Sequence, residues 1–182
     1  MITCNCCLPT TISGAGLSRR HFLGAMAVGT GVLAAGLLPG PVRAAGTADA
    51  LLLSCMDYRL IDDIVRYMDG RGLTNNYDHV ILAGASLGVL QDKNATWGKT
   101  FWDHVDAAIQ LHAIKRVIVM DHRDCGAYRL FLGAEAVKDA PSELGAHTTQ
   151  LRGLKSRINA QYPKLEVELL LMALDGKVEA IS

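Results

Sequence analysis

The sequence lacks an excess of charge of either sign. Its 18 lysine and arginine residues balance 18 aspartate and glutamate residues, and no basic run stands out. Nucleic-acid-binding domains usually carry a basic patch, so nucleic acid is excluded as the expected partner. Internal repeats and low-complexity tracts are also absent. With 50% hydrophobic and 20% charged residues in a chain of 182, the composition indicates one globular domain rather than a disordered protein.

Acidic residues are missing altogether from residues 1–44. This segment contains the sequence Ser-Arg-Arg-His-Phe-Leu around Arg19 and Arg20, then an uncharged stretch at 22–38, and small residues around Arg43. That order is typical of a twin-arginine signal peptide with a cleavage site before Ala45. We therefore expect residues 1–44 to be the signal, and the protein to be exported in folded form to the periplasm or another extracytoplasmic space.

A retained membrane anchor is the alternative interpretation of this segment. The uncharged stretch at 22–38 is short and weakly hydrophobic for a bilayer span, which needs about 20 apolar residues. We therefore expect no stable membrane anchor after cleavage. The body that remains, residues 45–182, is mildly acidic, which implies no particular partner.

Cysteine is scarce in that body. Cys4, Cys6 and Cys7 precede the cleavage site; they could bind metal but are treated as incidental. Only Cys55 and Cys125 remain. Two cysteines can form one disulfide or act as metal ligands, so their surroundings must decide.

Short apolar runs alternate with helical patterns from residue 50 onward. Strands are expected at 50–54, 80–82, 116–120 and 167–172, with an antiparallel strand at 177–181. Helices are expected at 60–68, at 96–113, shortly after Gly126, and from Pro141 to Tyr162. This alternation predicts a single α/β domain with a central, mostly parallel sheet of four to five strands flanked by helices.

Reactive side chains follow the first and third of these strands. Cys55 comes directly after the first strand, and His122 and Cys125 come after the third. In an open parallel sheet, ligands bind beyond the carboxyl ends of the strands, where the strand order reverses. If the two strands are neighbours there, the three side chains converge.

Two thiolates and one imidazole are soft ligands suited to zinc. Structural zinc sites usually take four protein ligands, whereas catalytic sites take three and leave one position for water. With no third cysteine in the body, the fourth ligand is Asp57 or water, which favours a reactive site. The structural alternative is a Cys55–Cys125 disulfide, common in exported proteins. The placement of His122, Asp57 and Arg59 argues against a disulfide, which needs none of them.

These motifs resemble those of the β-carbonic anhydrase family, which places its zinc ligands in Cys-x-Asp-x-Arg and His-x-x-Cys. The chain has Cys55-Met56-Asp57-Tyr58-Arg59 and His122-Arg123-Asp124-Cys125-Gly126. The resemblance extends to Ala83-Gly84 and to 165–177. It implies that residues 45–182 are a carbonic anhydrase-like catalytic domain with Zn²⁺ on Cys55, His122 and Cys125. The implied reaction is the reversible hydration of carbon dioxide to bicarbonate by a zinc-bound hydroxide.

The resemblance also implies catalytic roles for Asp57 and Arg59. Asp57 would accept a hydrogen bond from the hydroxide and orient it. Arg59 would pair with Asp57, keeping it ionised and turned away from the metal. Without that pair, Asp57 could close the site as a fourth ligand. The family further implies a homodimer or a higher homo-oligomer.

The sequence departs from the family pattern in three places. Tyr58 stands where the family usually has serine, Ile81-Leu82-Ala83-Gly84-Ala85 replaces the frequent Arg-Asn-Ala-Gly-Asn, and the N-terminal helical arm is missing. The substrate pocket is therefore expected to differ. Two alternatives follow: a zinc hydrolase of carbonyl sulfide or carbon disulfide, and a non-catalytic zinc-binding relative.

Other histidines and aromatic residues receive weaker interpretations. Four histidines, at positions 79, 104, 112 and 147, are expected at the surface or the edge of the core rather than as ligands. Trp97, Phe101 and Trp102 are expected in a helix core or a subunit interface.

Overall fold

The structure, a computed structural model, describes residues 46–182. The expected signal peptide and its arginines and cysteines lie outside the described residues, so that expectation stays a prediction. The described elements, in chain order, are β1 (Ala50–Ser54), α1 (Ile61–Gly70), β2 (Tyr77–Ile81), α2 (Ser86–Leu90), α3 (Ala95–His112), β3 (Arg116–His122), α4 (Gly126–Leu132), α5 (Ala140–Gln161), β4 (Glu166–Met172) and β5 (Val178–Ala180).

The five strands form one sheet in the order β2-β1-β3-β4-β5. The first four are parallel, and β5 runs antiparallel to β4. Ser54, the last residue of β1, pairs with Ile81 of β2 on one side and Met120 of β3 on the other. The chain moves outward in opposite directions from β1 and β3, so the strand order reverses between them. This confirms the predicted α/β fold and the predicted contact between the first and third strands.

Helices cover both faces of the sheet. On one face α1 packs Ile64 and Met68 against alternate residues of the strands, among them Leu52 and Ile118. On the other face α2, α3 and α5 cover the remaining alternate residues, such as Val119. The strands are therefore buried on both sides, as parallel strands between crossover helices must be. Across the described part of the chain, no helix has the length and apolar character needed to cross a membrane.

Helix α2 is the element that sequence reasoning missed, because no helix was expected between the strand at 80–82 and the helix at 96–113. The helix has five residues and contains Gly88, a poor helix former. A Cβ atom at Gly88 would lie 2.4 Å from the carbonyl oxygen of Ala83. Tight packing of backbone on backbone, which hydrophobic periodicity does not reveal, therefore sets this turn.

Candidate metal centre

Cys55, His122 and Cys125 come together at the carboxyl ends of β1 and β3. Their ligand atoms all lie within 4.8 Å of one another, and all three residues are buried. The two sulfurs are 3.9 Å apart and belong to free thiols. The predicted convergence is therefore present. The arrangement offers one imidazole nitrogen and two sulfurs to a cation, and it is not a disulfide.

The imidazole of His122 is oriented for a ligand. Its Nδ1 lies 2.8 Å from the carbonyl oxygen of Arg123. Since a carbonyl only accepts hydrogen bonds, Nδ1 carries a proton, and in the neutral imidazole Nε2 therefore carries the lone pair. Nε2 is buried and has no hydrogen-bond partner within residues 46–182. A buried polar atom without a partner is costly, and a cation between this nitrogen and the two sulfurs would satisfy it.

The sulfur of Cys55 accepts a hydrogen bond from a backbone amide, that of Gly84, at 3.3 Å. The turn that supplies the amide has unusual backbone angles, with φ of +77° at Gly84 and +39° at Ala85. For a residue such as Ala85, a positive φ costs about 1–3 kcal/mol. Sequence reasoning could not find this donor, because every non-proline residue has the same backbone N–H.

The two thiols influence each other strongly. A hydrogen bond from the thiol of Cys125 lowers the pKa of Cys55 against the opposing effect of burial, with further help from His122 and Gly84. The same interaction, together with burial, raises the pKa of Cys125 well above its ordinary value. Burial lowers the pKa of His122, but the neighbouring Cys55 thiolate outweighs it and the net shift is upward. A cation that replaced the shared proton would leave both sulfurs as thiolates.

Asp57 and Arg59 form a two-pronged ion pair beside this cluster. The guanidinium of Arg59 donates from Nε to one carboxylate oxygen at 2.9 Å and from a terminal nitrogen to the other at 2.8 Å. These hydrogen bonds lower the pKa of Asp57 to about 2. A carboxylate oxygen of Asp57 lies 3.8 Å from Nε2 of His122. The pair anticipated from the sequence is present, and its place in catalysis stays a prediction.

Asp124 fixes the other side of the same guanidinium. Its carboxylate accepts from Arg59 at 2.9 Å and its backbone carbonyl accepts at 3.1 Å. Asp124 directly precedes Cys125, so this contact joins the segment after β1 to the segment after β3. The guanidinium of Arg59 is therefore held between Asp57 and Asp124.

A cavity of about 330 Å³ opens beside the cluster. Its walls beyond Cys55, Asp57 and Cys125 are mainly apolar and include Met56, Tyr58, Ala83, Trp97, Leu130 and Phe131. Trp97 packs edge-on against Phe131 with ring centroids 6.1 Å apart. Trp97 was expected in a helix core or an interface. It is half-buried and lines the cavity, where the first turn of α3 faces α4. It is therefore not in the helix core, and its place in an interface stays a prediction.

A second polar cluster lies behind the first and is centred on Asp121, the residue before His122. The carboxylate of Asp121 accepts hydrogen bonds from Ser86, Tyr128 and His147. The expectation that His147 lies at the surface or core edge is wrong, since it is completely buried. The partner explains the difference, because a carboxylate inside the core gives an imidazole a reason to be buried. The available signal was an acidic residue, Asp121, next to the last position of the mostly apolar strand β3.

The other three histidines within residues 46–182 stay outside both clusters. His104 is exposed, and His112 is half-buried and paired with Asp78. His79 contacts the hydroxyl of Ser54 at 2.7 Å. These positions agree with the expectation of surface or core-edge residues.

Comparison with known proteins adds findings of three kinds: a family model, two relatives and a solved structure. Residues 46–182 match a family model described as "Putative carbonic anhydrase". An uncharacterized protein of Rickettsia conorii is 42% identical over 134 residues, covering 74% of this chain and 72% of the relative. An uncharacterized protein of Rickettsia bellii is 41% identical over 134 residues, covering 74% and 82%. The crystal structure of the β-carbonic anhydrase CafA of Aspergillus fumigatus aligns with a TM-score of 0.49 and 13% identity, covering 90% of this chain and 81% of that chain.

Proposed function

The chain belongs to this carbonic anhydrase family, and from that premise we propose that it catalyses the zinc-dependent, reversible hydration of carbon dioxide to bicarbonate. The observation that supports the proposal most strongly is the buried cluster of Cys55, His122 and Cys125, with ligand atoms within 4.8 Å of one another. The lone pair on Nε2 of His122 has no protein partner within residues 46–182. A cation is the simplest occupant of such a site.

Zinc is the cation proposed. Two sulfur ligands and one imidazole suit zinc better than calcium or magnesium, which prefer oxygen. Three protein ligands are also the number that catalytic zinc sites take. When bound, zinc supplies Lewis-acid chemistry and acidifies a coordinated water toward a pKa of about 7.

Asp57 is the proposed orienting group. Arg59 occupies both of its oxygens and lowers its pKa, so Asp57 is ionised at neutral pH and accepts a hydrogen bond from the nucleophile. Because the same arginine also binds Asp124, the carboxylate is held beside the cluster rather than free to swing into it. The proposed work of the pair is to fix the direction of the nucleophile and to keep Asp57 off the metal.

The apolar cavity is the proposed substrate site. Carbon dioxide is linear and uncharged. It can therefore leave water and lie against apolar walls such as Trp97 and Phe131 without the cost of desolvating a charge. Carbonyl sulfide and carbon disulfide are also linear, and their larger sulfur atoms suit the same walls. The apolar replacement Ile81-Leu82 at the end of β2 is the observation that favours these as the alternative substrates.

The test is a comparison of the three gases on one zinc-loaded preparation. Hydration of carbon dioxide is followed by stopped-flow with a pH indicator, and hydrolysis of the other two by release of sulfide. The proposal expects carbon dioxide to have the highest kcat/KM. Faster sulfide release would reassign the substrate, and no turnover of any gas would favour a non-catalytic zinc-binding relative.

Export and assembly complete the proposal. The arginine pair Arg19-Arg20 supports export in folded form through the twin-arginine route. Three large apolar residues near the cavity, Met56, Tyr58 and Leu130, are 63%, 83% and 71% exposed. A contiguous patch of exposed apolar side chains often marks a surface that another protein molecule covers. The patch therefore supports a homodimer or higher homo-oligomer. Light scattering on purified protein measures the number of chains directly.

A further inference from the structure

Asp121 directly precedes His122, one of the three residues of the candidate metal centre. Asp121 and His122 are consecutive in β3, so their side chains point to opposite faces of the sheet. Asp121 is only 1% exposed, and four donors point at its two oxygens. They are the backbone N–H of Ser86 at 3.0 Å, the hydroxyl of Ser86 at 2.7 Å, the hydroxyl of Tyr128 at 2.5 Å and Nδ1 of His147 at 3.0 Å.

Two of these four bonds go to the residue that ends the unusual turn after β2. Ser86 follows Ala85, whose positive φ is unfavourable for a residue with a side chain, and Ala85 follows Gly84. The Gly84 amide is the donor to the sulfur of Cys55. A turn in an unfavourable conformation persists only when its surroundings hold it. Asp121 holds both the backbone and the side chain of Ser86, directly after the strained position.

The other two bonds fix the carboxylate itself. Burial and the neighbouring Asp121 raise the pKa of Tyr128 well above its ordinary value, so Tyr128 remains a neutral phenol that donates. His147 donates from the far side, and its ring lies on that of Tyr128 with centroids 3.8 Å apart. Asp121 is thereby locked between α4, which carries Tyr128, and α5, which carries His147.

We propose that Asp121 is a positioning residue for the metal centre: through Ser86 it directs the Gly84 amide onto the sulfur of Cys55. An amide that donates to a metal-bound thiolate draws electron density from the sulfur and changes how much charge that sulfur gives the metal. The metal's part of this inference rests on the proposed function. The positioning part does not, since all the contacts are between residues of the chain.

Nuclear magnetic resonance of Asp121→Asn tests both parts. The amide side chain keeps the shape of the carboxylate but has a single accepting oxygen, so it cannot satisfy donors on both sides. In the metal-free, reduced protein, the Gly84 amide proton of the variant is expected to move upfield as its hydrogen bond to sulfur weakens. In protein loaded with ¹¹³Cd, the coupling between this proton and the metal across the hydrogen bond is expected to be lost, and the ¹¹³Cd resonance to shift.

Two matched variants separate positioning from general loosening of the core. Ser86→Ala and Tyr128→Phe each remove one hydroxyl from the same oxygen of Asp121. Only Ser86 belongs to the turn, and the Tyr128 hydroxyl reaches the turn only through the Ser86 hydroxyl, 3.0 Å away. Ser86→Ala is expected to reduce the coupling between ¹¹³Cd and the Gly84 proton clearly more than Tyr128→Phe does, because Tyr128→Phe leaves the bonds from Ser86 to Asp121 in place. Leu154→Ala, a cavity in the same core, is expected to retain the coupling.

Each result below either supports or overturns the positioning role of Asp121. If Asp121→Asn leaves the Gly84 proton and the ¹¹³Cd resonance within the range of Leu154→Ala, the inference is overturned. If Asp121→Asn does not fold, the decision passes to Ser86→Ala: retained coupling, or an equal loss in Tyr128→Phe, overturns it. Should the wild-type protein bind no cadmium, the proposed function fails, while the metal-free Gly84 shift still decides the positioning.

Discussion

Asp57 and Arg59 differ from an ordinary surface ion pair in their geometry. Exposed pairs usually contribute only about 0–1 kcal/mol, because solvent screens them and two flexible side chains must be ordered. Here one planar guanidinium contacts both oxygens of the carboxylate and is itself anchored by Asp124. The ion pair therefore contributes mainly by orienting Asp57, because it holds this carboxylate in one place beside the cluster, and contributes little to the free energy of unfolding.

Loss of the guanidinium tests that role. Arg59→Ala is expected to slow turnover about 100-fold, the cost typical of misplacing a catalytic group, with zinc still bound. In the same variant the pKa of Asp57 is expected to rise from about 2 toward its ordinary 3.8, because the group that lowers it is gone. Carbon-detected titration of the Asp57 carboxyl in metal-free protein measures the shift.

The control for Arg59→Ala is Arg66→Ala, which removes an exposed pair with Asp63 on α1. It is expected to change neither turnover nor the pKa of Asp57. Full activity in Arg59→Ala would show that the pair is structural only.

Single residues also show what a sequence can predict about this site. Cys55, His122 and Cys125 were predictable because sulfur and imidazole side chains are rare and stood at two strand ends. Gly84 and His147 were not. The contribution of Gly84 is a backbone N–H, and the burial of His147 depends on an acidic partner that faces it across the sheet–helix boundary.

Among the elements, α2 is the one whose existence depends on close packing rather than on an apolar pattern. Gly88 of α2 lies close to the carbonyl oxygen of Ala83. Gly98 of α3 makes a similar approach, since a Cβ atom added there would lie 2.7 Å from the carbonyl oxygen of Val89. Two glycines therefore let three short segments of backbone touch. This packing positions the turn that faces Cys55.

Adding one methyl group to α2 tests this. Gly88→Ala is expected to lower the free energy of unfolding by about 1–3 kcal/mol, because the new Cβ must displace backbone rather than a flexible side chain. Gly145→Ala in α5 is the control, since a Cβ there meets nothing within 4 Å. It is expected to stabilise by about 0.5–1 kcal/mol through helix propensity. Urea denaturation measures both, and equal stability of the two variants would refute the packing argument.

The other elements were predicted from periodicity, with errors at their ends. The second strand was expected at 80–82, whereas β2 runs from Tyr77 to Ile81. Tyr77, Asp78 and His79 are only half-buried or exposed because β2 is at the edge of the sheet. An edge strand can include polar residues that a hydrophobic pattern does not count. The existence and the antiparallel direction of the strand expected at 177–181 were predicted correctly, because Gly176 marks the turn before it, and β5 is shorter by one residue at each end.

For the molecule as a whole, the proposed route of export and the proposed chemistry depend on each other. Thiolate ligands must be reduced to bind zinc, and an oxidising compartment favours disulfides. The sulfurs of Cys55 and Cys125 are already 3.9 Å apart. Folding and metal loading before export would protect them from being joined.

Replacing the paired arginines tests this idea. Arg19→Lys with Arg20→Lys is expected to leave an active, zinc-loaded precursor in the cytoplasm, because the twin-arginine route no longer accepts it. Substituting residues 1–44 by a signal for unfolded export is expected to yield protein with little zinc or with a disulfide. Cell fractionation with zinc and thiol counting measures both. Full zinc and two free thiols after unfolded export would show that the route is unnecessary.

The central claim is that a metal on Cys55, His122 and Cys125 hydrates carbon dioxide, and stopped-flow assay of one preparation before and after zinc removal tests it most directly. We expect a kcat/KM of at least about 10⁴ M⁻¹s⁻¹ with one zinc per chain, loss of turnover on chelation, and recovery on adding zinc back. Cys125→Ser should lose zinc and activity together. Turnover that survives complete removal of zinc, or none with the site fully loaded, would contradict it.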